Sequence, residues 1–157
     1  MKPHGAILKQ EEGAVYHKIV QRYKKSEFNV VEVDGETIRT EQDIFNVFSV
    51  QLRFPSYFGN NWDAFFDCLT DLLWLKSKDT IILLRNVESI ISLPFFDLFA
   101  ETLVDAHLTW KAWGSQFHVI VFLSEIDEKR KLTSHRLRVI EERSIKKNDA
   151  ARKFSNC

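Results

Sequence analysis

Three short apolar runs, separated by stretches of helical period, predict an α/β fold with a parallel sheet flanked by helices. The runs are residues Phe28 to Val33, Thr80 to Leu84 and Phe117 to Leu123. The segments between them are long enough to hold right-handed helical crossovers, which parallel strands require. At 157 residues and 45 % hydrophobic, with thirteen Phe and four Trp, the chain has the size and composition of one ordinary domain with a real core.

The elements follow in order. Ala14 to Lys25 places apolar residues at 15, 19, 20 and 23, the pattern of a short amphipathic helix. Phe28 to Val33 is β-branched and aromatic, and Asp34-Gly35 is a turn signal after it. Thr40 is a good N-cap with Asp43 in the capping-box position, opening a helix that carries Ile44, Phe45, Val47 and Phe48. Pro55 disfavours helix at Phe54, so 53–56 is a loop. Asn60 or Asn61 caps the next helix, whose core face reads Trp62, Phe65, Leu69, Leu72 and Leu73. Thr80 to Leu84 is a wholly apolar run, as in a strand covered on both faces. Pro94 suits the first position of a helix that runs to about Ala112, and Gly114-Ser115 ends it. Phe117 to Leu123 is the last strand, and the charged tail 125–157 forms one or two surface helices or frays.

Charge divides the chain. The net charge of zero resolves into +3 over residues 1–27, −7 over 28–124 and +4 over 125–157. An acidic middle attracts a basic protein and repels nucleic acid; the alternative is a solubilising surface. The N-terminal residues lack a long apolar signal segment, and no apolar run approaches the ~20 residues of a membrane span. Cys68 and Cys157 lie far apart and read as free thiols of a reducing compartment, so a cytoplasmic location is expected.

Chemistry-bearing motifs are sparse. His4, His17, His107, His118 and His135 have no metal-ligand spacing, and the chain has no G-x-S-x-G, P-loop or G-x-G-x-x-G. Cys68 falls mid-helix, as a core thiol does. The most informative segment is Tyr57 to Asp71, YFGNNWDAFFDCLTD. Asp63, Asp67 and Asp71 are spaced i, i+4, i+8, which puts them on one helical face, and no Lys or Arg lies between Phe54 and Leu75. Paired aspartates serve acid–base or magnesium chemistry elsewhere. Here no His, Lys or second carboxylate cluster is expected beside them, so an enzyme is disfavoured. Phe65 and Phe66 are adjacent, so one of them is expected at the edge of the core, beside the carboxylates. Aromatics beside charges are common in binding hot spots, although a solvated face stays open.

The run Phe54-Pro55-Ser56-Tyr57-Phe58-Gly59-Asn60-Asn61-Trp62-Asp63-Ala64-Phe65-Phe66-Asp67-Cys68-Leu69-Thr70 closely resembles the signature of the barstar family, intracellular inhibitors of barnase-type ribonucleases. Residues 30–38, 80–84 and 119–124 resemble that family's strands, so the resemblance covers about 28–124. It implies a three-stranded parallel sheet flanked by helices; the basic ends 1–27 and 125–157 have no counterpart in the family core and are expected as helical extensions. It also implies one-to-one blockade of a basic secreted ribonuclease or toxin nuclease, as an immunity protein, with no cofactor and no direct nucleic-acid binding by the core. Carried over by residue, Tyr57 and Asn61 would touch the enzyme's rim and Asp63 would pair with a basic group. Phe66 would be an apolar anchor, Asp67 a mimic of the RNA phosphate, and Thr70 a peripheral contact. Asp97 is matched to a later acidic contact.

Two departures stand out. Phe66 occupies a position where the family has Trp, and Asp71 replaces a small residue and adds charge. The alternative reading is therefore a barstar-like interaction domain that no longer inhibits a nuclease and binds another basic partner. The basic tail, with Lys129, Arg130 and Lys131 among its charges, is compatible with RNA contact but reads more simply as a solvated helix face.

Overall fold

The computed structural model describes residues 6–124 and 127–155. Four strands, not three, form one wholly parallel sheet: β1 (Leu8–Glu12), β2 (Asn29–Asp34), β3 (Thr80–Arg85) and β4 (Phe117–Leu123), in the order β1-β4-β3-β2. The additional strand β1 runs beside β4 from Leu8 opposite Val119 to Glu12 opposite Leu123. It has no apolar signature because it is an edge strand: only Leu8 of Leu-Lys-Gln-Glu-Glu is buried. The α/β class and the three strands expected from sequence are present, β4 with the expected bounds.

Five helices surround the sheet: α1 (Tyr16–Lys24), α2 (Glu41–Gln51), α3 (Trp62–Leu69), α4 (Phe96–Ala112) and α5 (Asp127–Ser155). The strand order fixes which face each covers. From β1 to β2 the chain crosses the whole sheet in one direction, and it then steps back through β3 to β4. Right-handed crossovers of opposite direction lie on opposite faces. Accordingly Tyr16, Ile19 and Val20 of α1 pack on Ile81, Leu83, Ile120 and Phe122. The alternate residues Ile82, Leu84, Val119 and Val121 face the main core, built with α2, α3, α4 and part of α5.

Local chemistry explains the element ends. The capping box at Thr40 is complete, with the Thr40 side chain accepting from the Asp43 amide and the Asp43 carboxylate accepting from the Thr40 amide. Helix α4 starts at Phe96, two residues after Pro94 rather than on it. It ends in a Schellman motif: Gly114 has φ +81°, Ser115 N–H donates to Trp110 O, and Gly114 N–H donates to Lys111 O. Gly35 is required by close approach, since a Cβ there would sit 2.1 Å from the Asn86 carbonyl oxygen.

The tail is a single 29-residue helix, α5, packed along α4. Leu137 and Ile140 enter the main core. Glu141 accepts from the Leu8 amide at 2.6 Å, and Arg130 pairs with Glu12. Helix α5 thus guards the exposed edge of β1.

Candidate protein-binding site

Helix α3 and the loop before it are held by an aromatic cluster. The Trp62 ring lies edge-to-face with Phe45 at 4.9 Å and with Phe65 at 5.6 Å. Phe65 packs on Phe48 at 4.9 Å, and Phe54 on Phe58 at 5.0 Å. These edge-to-face pairs suit the ring quadrupoles and fix the helix against α2. At its start, Asn61 is the N-cap, with Oδ1 accepting from the Ala64 amide at 2.8 Å. Asn60 takes the left-handed conformation (φ 52°) and accepts from Gln42 Nε2. At its end, the Trp110 indole of α4 donates to the Leu69 carbonyl at 2.8 Å in a buried hydrogen bond.

This frame sorts the sequence-predicted residues. Phe65 is fully buried, and Phe66 is the half-buried one at the core edge. Tyr57 is 72 % exposed. Asp63 and Asp67 are exposed and make no ion pair or side-chain hydrogen bond among the described residues. Thr70 directs its hydroxyl to the Phe66 carbonyl at 2.9 Å, closing the last turn. Asn61 is likewise committed to its own helix, through the cap.

The carboxylate stripe is shorter than its spacing predicts. Helix α3 ends at Leu69, and Asp71 lies in the following turn, half-buried. The break comes at Leu72, whose φ of 51° leaves the right-handed helix while its side chain stays fully buried. Leu73, expected on the core face, is consequently turned out and 71 % exposed. Cys68 is buried among these groups. Desolvation first, and then the Asp71 and Asp67 charges, push its thiol above the ordinary cysteine value, which leaves it protonated and unreactive.

Asp97 has a different environment. It sits in the first turn of α4, where Arg136 of α5 donates to it at 2.8 and 3.2 Å, and Arg143 adds a contact at 3.5 Å. Arg143 also bonds Glu101 at 2.7 Å, and Asn148 bonds Asp105 at 2.7 Å. The hydrogen bond and charge of Arg136, and then those of Arg143, hold the Asp97 carboxyl below its usual range. Helix α5 therefore satisfies the acids of α4, whereas the two exposed aspartates of α3 keep only solvent. No signal in the sequence pairs Arg136 with Asp97, 39 positions away.

Among the described residues no cluster of three or more His, Cys, Asp or Glu is placed to hold a metal. No described helix is long and apolar enough to cross a membrane. Two exposed carboxylates on one helical face, flanked by a half-buried Phe and an exposed Tyr, present fixed acceptors to arginine or lysine donors.

Comparison with known proteins agrees on fold and adds kinship. Among solved structures the chain is similar to Cdc6p from Pyrobaculum aerophilum, with a TM-score of 0.60 and 16 % identity over 85 % of this chain and 36 % of that one. This chain thus spans little more than a third of that protein's length, and the likeness is one of fold alone. The family model described as Barstar (barnase inhibitor) matches residues 28–122, which include β2, β3, α2 to α4, all but the last residue of β4 and the whole of the aspartate-bearing segment. On that match, covering well over half its length, the chain belongs to the barstar family.

Proposed function

We propose that this chain is an intracellular, cytoplasmic inhibitor of a basic secreted ribonuclease or toxin nuclease, bound one-to-one, and not itself an enzyme. The carrying observation is that Asp63 and Asp67 stand exposed without an ion pair among the described residues, while Asp97 and Glu101 of α4 are paired from within by Arg136 and Arg143. In this reading α3 and residues 54–61 enter the enzyme's active site. Asp67 takes the place of an RNA phosphate among the enzyme's cationic groups, and Asp63 pairs with a neighbouring base. Phe66 supplies the apolar anchor, and Tyr57, Asn61 and Thr70 meet the rim. Asp71 adds field rather than a direct bond. Asp97 contributes least, because Arg136 and Arg143 already occupy it. Complementary fields speed such an encounter and make it salt-sensitive.

The test is titration of the full chain into a barnase-type ribonuclease, following RNA cleavage, with Asp67→Ala alongside. Stoichiometric inhibition by the wild type, weakened by salt and lost in the folded variant, supports the proposal. Full inhibition by the folded variant overturns it.

A second reading is a barstar-like interaction domain that has left nuclease inhibition for another basic partner. It is favoured by the smaller Phe66 anchor and by the internal engagement of Asp97. Removing residues 125–157 does not separate the two cleanly, because Leu137 and Ile140 belong to the core. Neutralising the exposed Lys129 and Lys131 does: inhibition survives under the first reading, and capture of a partner through the tail fails under the second.

A further inference from the structure

At the opposite end of the sheet from the β-strand C-termini, a cavity of about 430 Å³ opens between β1, β4, α4 and the end of α1. Its walls include Lys9 of β1, His107 and Lys111 of α4, His118 of β4, and Tyr23 of α1. Three separate elements thus bring four nitrogen bases to one space, and no carboxylate lines it among the described residues. Asp79, whose charge acts on His118, has its Oδ1 already engaged by the Gln116 amide at 2.9 Å.

His107 Nδ1 lies 2.6 Å from the Phe117 carbonyl oxygen, which only accepts, so Nδ1 carries the proton and donates. Its Nε2 makes no hydrogen bond among the described residues. Lys9 and Lys111 are exposed and form no ion pair among the described residues. His118 is held in orientation by Gln116 Oε1 at 3.0 Å and by stacking on Phe28 at 5.9 Å. The Schellman bonds at the end of α4 take up the Trp110 and Lys111 carbonyls. Burial first, and then the His107 and Lys9 charges, hold His118 below the ordinary histidine value, with Asp79 acting the other way. Lys9 and Lys111 therefore bring positive charge to a cavity with no carboxylate among its described lining residues.

We propose that this cavity binds a phosphate group, either as inorganic phosphate or as the phosphomonoester of a small molecule. Lys9 and Lys111 supply the charge and the ammonium donors, the two imidazoles line the space as oriented polar walls, and Tyr23 supplies a ring for the remainder of an ester. This inference is independent of nuclease binding, which is assigned to other residues.

The experiment is a nitrogen–proton NMR titration of the histidine side chains in the full chain. Inorganic phosphate and adenosine monophosphate are added separately at constant ionic strength, and Lys9→Gln/Lys111→Gln is run in parallel. The expected result is a saturable shift of the His107 and His118 ring signals, with affinity about tenfold weaker in the double variant. Both lysines are exposed, so the variant is expected to stay folded. Tighter binding of the monophosphate assigns an ester as ligand, and equal or weaker binding assigns free phosphate. The proposal is overturned if neither compound gives a saturable shift, if chloride alone reproduces it, or if the double variant binds equally well.

Discussion

Replacing Trp110 by Phe breaks the link through which α4 holds the end of α3. The indole is 2 % exposed and donates to the Leu69 carbonyl at 2.8 Å across 41 positions of sequence. Phe cannot donate, so a buried carbonyl loses its partner, at a cost of roughly 1–3 kcal/mol. The smaller ring also removes about two buried carbons, at ~0.8 kcal/mol each. Together the change destabilises the fold by about 3 kcal/mol, which for a domain of this size lowers Tm by roughly 6–12 °C. Urea unfolding monitored by circular dichroism measures it. Trp113→Phe is the control: that ring is 66 % exposed and touches Trp110 edge-on at 5.6 Å, so the expected loss is within about 1 kcal/mol. Equal effects of the two substitutions, or a Trp110→Phe loss under about 1 kcal/mol, would refute the assignment of the buried hydrogen bond as the clamp on α3.

The other predictions are simpler. Asn61→Ala removes the α3 N-cap and is expected to cost about 1 kcal/mol in thermal or chemical unfolding, whereas Asn61→Ser costs only a few tenths. Asp97 is held below its usual carboxylate range by Arg136, so its contribution is present above the unfolded-state value and lost as pH falls through the lower folded value. The stability gap between wild type and Asp97→Asn is therefore expected to be largest near neutrality and to close below about pH 4, and a constant gap counts against the pairing. In a Cys157→Ser background, Cys68 is expected to react with a thiol reagent only on unfolding, since it is buried and its thiol is pushed up. Rapid modification of the native protein would contradict that burial.

Much of the fold was legible because local chemistry and periodicity agreed. The Thr40 capping box, the Asn61 cap, the glycine after α4 and the apolar strands β3 and β4 each carry their signal within a few residues. What escaped depends on distant partners. Strand β1 is polar because an edge strand buries little, and only pairing with β4 and cover by α5 make it a strand. Past Leu69 the helical period predicts a continued face, but the chain has left the helix by Leu72. Burial of that side chain outweighs its unfavourable φ, which in turn exposes Leu73. At the candidate site, the adjacency of Phe65 and Phe66 was enough to place one of them at the core edge. The sequestration of Asp97 by Arg136 and Arg143 was not, because nothing near either end marks the pairing.

The two acidic positions give the most direct test, since one is free and the other is taken. Inhibition of a barnase-type ribonuclease is measured for wild type, Asp67→Ala and Asp97→Ala, each confirmed folded. The account predicts that the wild type inhibits stoichiometrically, that Asp67→Ala fails, and that Asp97→Ala inhibits nearly as well as the wild type. Retained inhibition in Asp67→Ala, or loss confined to Asp97→Ala, would contradict it and move the binding surface from α3 to the α4–α5 face.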